Sequence, residues 1–166
     1  MAKQRVQILD EAVIAHKIKR MAYEIYEQNL EEKELVLVGI ADAGSVLASL
    51  LVAELKQLSK QKIVLLPLTI NKKNPLKSDV NLDFDFNKKI VILVDDVTNS
   101  GKTLLYALKA FLDAEPEKIQ VAVLVDRQHK NYPVTADYIG FSVSTTLQNH
   151  IAVELKGDKI TGAFLE

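Results

Sequence analysis

Residues 94–103, VDDVTNSGKT, combine two adjacent carboxylates with a run of hydroxyl, amide and lysine side chains. The last four residues match the end of a nucleotide-binding P-loop, but that motif requires a glycine where this chain has Asp96. A carboxylate at that position would face phosphate, which excludes the P-loop interpretation. The segment therefore indicates a ligand that carries a phosphate together with groups that carboxylates bind.

The second part of this segment has the composition of an anion-binding loop. It consists of Thr98, Asn99, Ser100, Gly101, Lys102 and Thr103. Backbone N–H groups that precede a helix form an anion pocket, and three hydroxyls add further donors. The glycine permits close approach of a ligand or a positive φ angle. We predict that residues 98–103 bind a phosphate monoester.

The first part of the segment supplies the two carboxylates, Asp95 and Asp96. Carboxylates accept hydrogen bonds from sugar hydroxyls and hold Mg²⁺ directly or through water. Each half alone has an ordinary alternative, namely a solvated turn for the acidic pair and a plain helix start for SGKT. Joined in order, after four apolar residues and before a predicted helix, the two halves are far more specific and match a ribose 5-phosphate.

Several stretches of the chain resemble known proteins. Residues 91–103, VILVDDVTNSGKT, resemble the phosphoribosyl-diphosphate signature of type I phosphoribosyltransferases, with four apolar residues, two acidic ones and a Thr/Ser/Gly loop. Residues 122–146 resemble the bifunctional pyrimidine-operon regulators that are also uracil phosphoribosyltransferases, and so do residues 8–29, 37–44 and 151–155. The resemblance covers nearly the whole chain and implies one phosphoribosyltransferase domain over residues 1–166.

The resemblance implies an enzyme of pyrimidine metabolism and nucleotide salvage. Phosphoribose would pass from phosphoribosyl diphosphate to a nucleobase, expected to be uracil, with release of diphosphate. Asp95 and Asp96 would be the catalytic carboxylates that hold the ribose diol and, through water, Mg²⁺, while residues 98–103 hold the 5-phosphate. Asn99 stands where purine-salvage relatives carry a catalytic aspartate, and an amide cannot act as a general base. This argues against purine salvage, although the pyrimidine relatives also lack the acid.

The same resemblance assigns a diphosphate loop that departs from the family pattern. The loop consists of Ala41, Asp42, Ala43 and Gly44. The pyrimidine regulators carry a basic Lys-Thr-Arg within it, and an acidic residue facing diphosphate is unfavourable. Backbone amides could still bind the diphosphate, and Lys72 or Lys73 from the long polar loop could close over it. A solvated loop is the alternative for both lysines.

The base pocket is expected in the loop after the strand at 118–126. Asp126, Arg127 and His129 are the candidates, and Arg127 could instead form a structural pair with Asp126 or Asp137. His150 has no partner visible in the sequence and receives no functional assignment.

Two other functions use the same pocket. One is an RNA-binding pyrimidine-operon regulator, for which Lys19, Arg20, His129 and Lys130 would be the basic contacts. The formal net charge of −1 makes nucleic acid a less favoured partner than phosphoribosyl diphosphate and a nucleobase or nucleotide. The other is a catalytically weakened nucleotide-sensing module, which Asp42 favours. A homodimer is expected from the resemblance only.

These residues need a scaffold that brings loops to one edge, and the hydrophobic pattern predicts one. Helices are predicted at 10–29, 45–58 and 102–114, and strands at 35–40, 62–70, 89–94, 118–126 and 138–143, with a hairpin in 150–166. Alternating strands and helices predict an α/β fold with a central parallel sheet flanked by helices. The resemblance specifies the type I phosphoribosyltransferase fold with a small hood or hairpin region. Ligands bind at the carboxyl ends of such strands, hence at loops 41–44, 95–103 and 126–134.

Composition sets the remaining limits. The chain has 166 residues, of which 48% are hydrophobic, so a packed core is feasible. It has no cysteine, which excludes disulfides and thiol catalysis. No signal-peptide core and no apolar run of the ~20 residues needed to span a bilayer occur, which predicts a soluble, cytoplasmic protein with no membrane partner.

Overall fold

The computed structural model describes residues 5–77, 79–144 and 149–166. Within these ranges the strands and α-helices are, in chain order, β1 (Val6–Asp10), α1 (Glu11–Gln28), β2 (Glu34–Ile40), α2 (Ala41–Leu58), β3 (Lys62–Leu68), β4 (Ile90–Thr98), α3 (Lys102–Ala107), β5 (Lys118–Arg127), β6 (Tyr138–Val143), β7 (Ile151–Lys156) and β8 (Lys159–Leu165). Short 3-10 turns occupy Pro75–Lys77 and Leu108–Phe111. Across the described helices, none has both the length and the apolar character needed to cross a bilayer.

The central sheet has the strand order β3-β2-β4-β5-β6, and every neighbouring pair is parallel. Strands β2, β4 and β5 are almost continuously apolar because both of their faces are covered. Helices α1 and α2 pack on one face, and α3 with the segment 71–88 packs on the other. This arrangement confirms the predicted α/β class with a parallel sheet between helices.

A second, antiparallel sheet has the order β1-β8-β7 and forms the predicted hood. The β7–β8 hairpin turns at Gly157, whose φ of 62° lies in the left-handed region, so the predicted turn at 156–158 is confirmed. Strand β1 was not predicted from the sequence. It is short, mostly exposed and ends at the residue that caps α1, and its pairing with β8 joins the two ends of the described chain.

Strand β4 is longer than its apolar pattern indicates. The sequence predicts a strand at 89–94 followed by a loop, whereas the observed strand includes both carboxylates and ends at Thr98. The reason is the neighbouring strand, because β5 continues alongside and pairs Asp95 with Val123 and Thr98 with Asp126. Long-range pairing therefore overrides the polar local composition.

The prediction of a loop at 41–44 is wrong, because these residues form the first turn of α2. Strand β2 runs directly into the helix with no intervening residue. Two glycines permit this tight junction. A Cβ atom at Gly39 would lie 2.6 Å from Ser45 Cα, and one at Gly44 would lie 2.8 Å from Val94 O. Ala41 has a φ of 49°, which is a strained value for a residue that is not glycine.

Other boundaries differ by a few residues. The helix predicted at 102–114 is an α-helix only to Ala107 and continues as a 3-10 turn. The strand predicted at 62–70 ends at Leu68, and its Pro67 is tolerated because β3 is an edge strand. Within the described part of 71–88 no strand forms, so a hairpin there is not observed.

Candidate functional site

A cavity of about 400 Å³ lies at the carboxyl end of β4. Its lining comes from residues 95–98 of β4, the 99–101 loop and start of α3, Lys72, and residues 150–153 at the start of β7. The structure thus brings both halves of the predicted ribose-phosphate site to one cavity. The binding roles of the individual residues stay predictions.

The 98–103 segment turns the chain sharply between β4 and α3. Gly101 has a φ of 83° and directly precedes the helix, where its carbonyl accepts a hydrogen bond from the Leu105 N–H. The Lys102 N–H is bonded to Ser100 Oγ at 3.2 Å. A Cβ atom at Gly101 would lie 3.2 Å from Tyr132 O. Glycine is therefore required both by the backbone angle and by the neighbouring segment.

The segment after β5 braces this loop. The N–H groups of Asn131 and Tyr132 both donate to Ser100 O, at 3.0 and 3.1 Å. The same segment is anchored to the sheet by the ion pair of Lys130 Nζ with Asp126 Oδ1, 2.8 Å apart, in which both side chains are nearly buried. The shape of the phosphate loop is thus fixed from outside as well as by its own turn.

Two polar atoms of the loop are buried without a hydrogen-bond partner among the described residues. They are Thr98 Oγ1 and Asn99 Oδ1. Thr98 is only 2% exposed and lines the cavity. Leaving a buried hydroxyl unpaired costs about 1–3 kcal/mol, so such groups commonly mark the place of a ligand. The orphaned hydroxyl supports a ligand oxygen at this position.

The acidic pair binds a lysine from the other side of the cavity. Lys72 Nζ lies 3.0 Å from Asp95 Oδ1 and 3.3 Å from Asp96 Oδ1. The side chains of Asp95 and Asp96 are 1% and 14% exposed, whereas that of Lys72 is 42% exposed. Asp95 Oδ1 also accepts the Asp96 N–H at 2.9 Å. One exposed cation therefore compensates two largely buried carboxylates.

This burial changes the acidity of the pair. Burial raises the pKa of Asp95 to about 8, the charge of Asp96 adds to the shift, and Lys72 opposes it. Burial lowers the pKa of Lys72, but the two carboxylates outweigh this effect and leave that pKa raised overall. Asp95 therefore carries a full negative charge at neutral pH only when additional positive charge approaches it.

The site suits Mg²⁺ shared with a ligand rather than held by protein alone. Among the described residues, no three His, Cys, Asp or Glu side chains are grouped to hold a metal ion. The Lys72 ammonium shows, however, that a positive charge fits between Asp95 and Asp96. Two carboxylates that bind through water, with remaining ligands from substrate oxygens, are a usual arrangement for Mg²⁺.

The stretch predicted to bind diphosphate lies next to the acidic pair. A Cβ atom at Gly44 would lie 3.3 Å from Asp95 Oδ1, so the first turn of α2 packs directly against β4. Ala41 and Asp42 line a second cavity of about 610 Å³, together with residues 67–70 and the β7–β8 hairpin. Asp42 is exposed, and its position in the first helical turn favours a carboxylate because of the helix dipole.

The residues predicted for the base pocket lie elsewhere. Asp126 and Arg127 are buried in β5 and His129 is exposed, and none of the three lines the 400 Å³ cavity. The wall opposite the phosphate loop comes instead from His150 and the next three residues of β7. The sequence gave His150 no partner, because its place at the cavity depends on the small sheet folding over β4.

Two of the basic residues considered for RNA binding have internal partners. The guanidinium of Arg20 donates to the carbonyls of Ile139 and Gly140 at 3.0 and 2.7 Å, and it pairs with Glu24 at 2.7 Å. Lys130 is the buried partner of Asp126. Arg20 therefore links α1 to β6. Lys130 links the segment after β5 to the sheet.

Comparison with known sequences agrees with this geometry. Residues 4–157 match the family described as the phosphoribosyl transferase domain. The chain is 37% identical to the bifunctional protein PyrR of Ligilactobacillus salivarius, an alignment that covers 98% of this chain and 95% of that protein. It is 36% identical to the bifunctional protein PyrR of Clostridioides difficile, with 92% of each covered. The similarity to the pyrimidine regulators predicted from the sequence is thereby confirmed.

Solved structures share the fold. The hypoxanthine phosphoribosyltransferase of Trypanosoma cruzi superposes with a TM-score of 0.77 at 16% identity, covering 94% of each chain. A hypoxanthine-guanine phosphoribosyltransferase of Bacillus anthracis superposes with a TM-score of 0.73 at 22% identity, covering 88% of this chain and 86% of that one. At 16% and 22% sequence identity, these superpositions show a shared fold. They confirm the predicted architecture.

Replacing Asp95 with Asn tests the cost of the buried carboxylate. Because folding raises the pKa of Asp95, the unfolded chain releases this proton at a lower pH than the folded chain. The free energy of unfolding of the wild type therefore falls as pH rises from 3.8 to about 8. We expect Asp95→Asn to be more stable than the wild type by about 2 kcal/mol at pH 8 in metal-free buffer.

Urea unfolding at pH 5 and pH 8 measures this difference, with Asp113→Asn, an exposed carboxylate that does not line the cavity, as the matched control. A variant whose stability follows the pH dependence of the wild type would contradict the assignment.

Replacing Thr98 with Val removes the orphaned hydroxyl and keeps the shape of the side chain. We expect the free energy of unfolding to rise by up to about 1–3 kcal/mol, because an unpaired buried hydroxyl is removed and no protein hydrogen bond is lost. Affinity for ribose 5-phosphate, measured by calorimetry, should fall about tenfold, the effect of one hydrogen bond to a charged group. Thr135→Val, on the exposed surface, is the control. Unchanged affinity would show that the hydroxyl does not face the ligand.

Proposed function

The chain belongs to the family of phosphoribosyl transferase domains, and from this premise we propose that it transfers phosphoribose from phosphoribosyl diphosphate to a nucleobase. Uracil is the proposed base, and diphosphate is the product released. The carrying observation is the single cavity that contains Asp95, Asp96 and the whole 98–103 loop in sequence order. A pair of acceptors beside an anion loop matches the diol and the 5-phosphate of one ribose.

The chain's residues would act mainly by positioning. The 98–103 loop would bind the 5-phosphate through its backbone N–H groups and hydroxyls, including the otherwise unpaired Thr98 Oγ1. Asp95 and Asp96 would accept hydrogen bonds from the two ribose hydroxyls and so fix the ring. In the reaction the bond from C1 to the diphosphate oxygen breaks and a bond from C1 to the base nitrogen forms. The carboxylates would stabilise the positive charge that develops on the ribose.

Mg²⁺ is the proposed cofactor, and when bound it would neutralise the leaving diphosphate. Asp95 and Asp96 are the residues that would hold it through water. Their burial supports this role, because they need additional positive charge to be ionised together.

The preference for a pyrimidine is supported by two features. Asn99 lies in the cavity wall. By the resemblance it stands where purine-salvage relatives carry a catalytic aspartate, and its amide cannot accept a proton as a carboxylate would. Two relatives of this chain, at 37% and 36% identity, are named bifunctional protein PyrR. Asp126, Arg127 and His129 remain the proposed base-pocket residues. Asp126 pairs with Thr98 in the sheet, whereas the lining of the 400 Å³ cavity includes His150 and the start of β7.

A second candidate function is a nucleotide-sensing module with little turnover. The observation that favours it is Asp42, whose carboxylate lies at the second cavity where the diphosphate would bind. A like charge there weakens diphosphate binding more than nucleotide binding. RNA regulation receives less support, because Arg20 and Lys130 are engaged within the protein. A homodimer and a cytoplasmic location stay predictions.

A panel of nucleobases separates the two candidates. The protein is incubated with phosphoribosyl diphosphate, Mg²⁺ and one base at a time, and diphosphate release is measured against reactions that contain EDTA. We expect uracil to support release at least about tenfold faster than hypoxanthine or guanine. If no base supports release above the EDTA background while nucleoside 5′-monophosphates bind, the transferase assignment is replaced by the sensing module.

A further inference from the structure

Among the described residues of the 71–88 segment, Lys72 alone lines the 400 Å³ cavity. It follows β3 by four residues, and residues 67–70 just before it line the second cavity beside Asp42. Its ammonium contacts the carboxylates of Asp95 and Asp96 at the same time. Lys72 therefore lies between the region that would hold the ribose and the region that would hold the diphosphate.

The contact of Lys72 with the two carboxylates determines the charge balance of the cavity. Apart from His150, the charged or titratable side chains that line it are Lys72, Lys102, Asp95 and Asp96. Lys102 lies at the start of α3, on the phosphate side of the acidic pair. Lys72 is thus the cation that balances the two carboxylates, with its ammonium 3.0 Å from Asp95 Oδ1 and 3.3 Å from Asp96 Oδ1.

We propose that Lys72 is an internal counter-ion of Asp95 and Asp96, and that a ligand which binds both carboxylates must displace it. The identity of the ligand, a ribose that arrives with Mg²⁺, rests on the proposed function. The ribose hydroxyls and the hydrated Mg²⁺ need the same carboxylate oxygens that Lys72 now contacts. A flexible lysine that is 42% exposed can vacate this position without disturbing the core.

The displaced ammonium remains tethered beside the diphosphate region. The first turn of α2 offers Asp42 and no basic side chain there. Once Lys72 has left the carboxylates, its ammonium would contact the diphosphate. The same lysine then has two positions, one that neutralises the acidic pair and one that compensates for the acidic residue of the diphosphate region.

Lys73 provides a matched control for this proposal. It adjoins Lys72, is exposed and does not line the cavity. Its backbone N–H is bonded to Asn71 Oδ1 at 3.0 Å, so its position is defined by the local turn. Substitution of Lys73 changes the net charge as much as substitution of Lys72 but leaves the acidic pair and its counter-ion in place.

The first experiment measures metal binding to the empty protein. Mn²⁺, a paramagnetic substitute for Mg²⁺, is titrated into metal-free wild type, Lys72→Met, Lys72→Arg and Lys73→Met at pH 8.5, and Mg²⁺ competition gives the Mg²⁺ affinity. We expect Lys72→Met to bind the metal about tenfold more tightly, because a competing charge is removed. Lys72→Arg and Lys73→Met should stay within about threefold of the wild type.

The second experiment measures the affinity of the protein for phosphoribosyl diphosphate, the proposed phosphoribose donor. Phosphoribosyl diphosphate is titrated by calorimetry in saturating Mg²⁺. Here Lys72→Met should bind about tenfold more weakly than the wild type, because the displaced ammonium no longer contacts the diphosphate. Ribose 5-phosphate, which has no diphosphate, should not show this loss.

The outcomes separate the counter-ion from the proposed function. The counter-ion role of Lys72 would be contradicted if Lys72→Met and the wild type bound the metal equally well. It would also be contradicted if Lys72→Met and Lys73→Met changed the metal affinity equally. If Lys72→Met does not fold by circular dichroism, Lys72→Gln takes its place with the same expectations. If Lys72→Met binds the metal more tightly but no base supports diphosphate release by the wild type, the counter-ion role is supported and the transferase assignment is contradicted.

Discussion

The central constraint in this structure is the burial of two adjacent carboxylates at the end of β4. Asp95 is almost inaccessible and lies beside Asp96, and among the described residues the Lys72 ammonium is the one cation paired with them. Burial disfavours the charged form of both carboxylates, so the arrangement costs folding free energy. The proposed ligand, which would bring hydroxyl donors and positive charge to the same oxygens, would offset this cost.

The surrounding elements maintain this pair. Strand β5 extends β4 beyond its apolar part and thereby keeps Asp95 inside the sheet. Gly44 lets the first turn of α2 pack directly against Asp95. On the other side, the 98–103 loop is set by the positive φ of Gly101 and by hydrogen bonds from the 131–132 backbone. The acidic pair and this loop are consequently held at a fixed separation, which the proposed ribose 5-phosphate would span.

Much of this could be predicted from the sequence because the information is local. Apolar runs define the central strands, and the acidic, hydroxyl and glycine residues predicted to act together in 94–103 line one cavity. The features that were missed depend on distant partners. Strand β1 forms only because β8 pairs with it. Both Lys72 and His150 reach the cavity through the packing of segments far apart in the chain. The helical start at Ala41 depends on the close approach that Gly39 and Gly44 allow.

The proposal that Asp95 and Asp96 bind the ribose is tested most directly with the double variant Asp95→Asn, Asp96→Asn. The quantity to measure is its affinity for phosphoribosyl diphosphate in the presence of Mg²⁺. The amides keep the size of both side chains but remove their charge. We predict that calorimetry will show at least about a thirtyfold loss of affinity in a protein that is folded and no less stable than the wild type, since two charge-assisted contacts are removed. An affinity equal to that of the wild type would contradict the assignment of the ribose to these carboxylates.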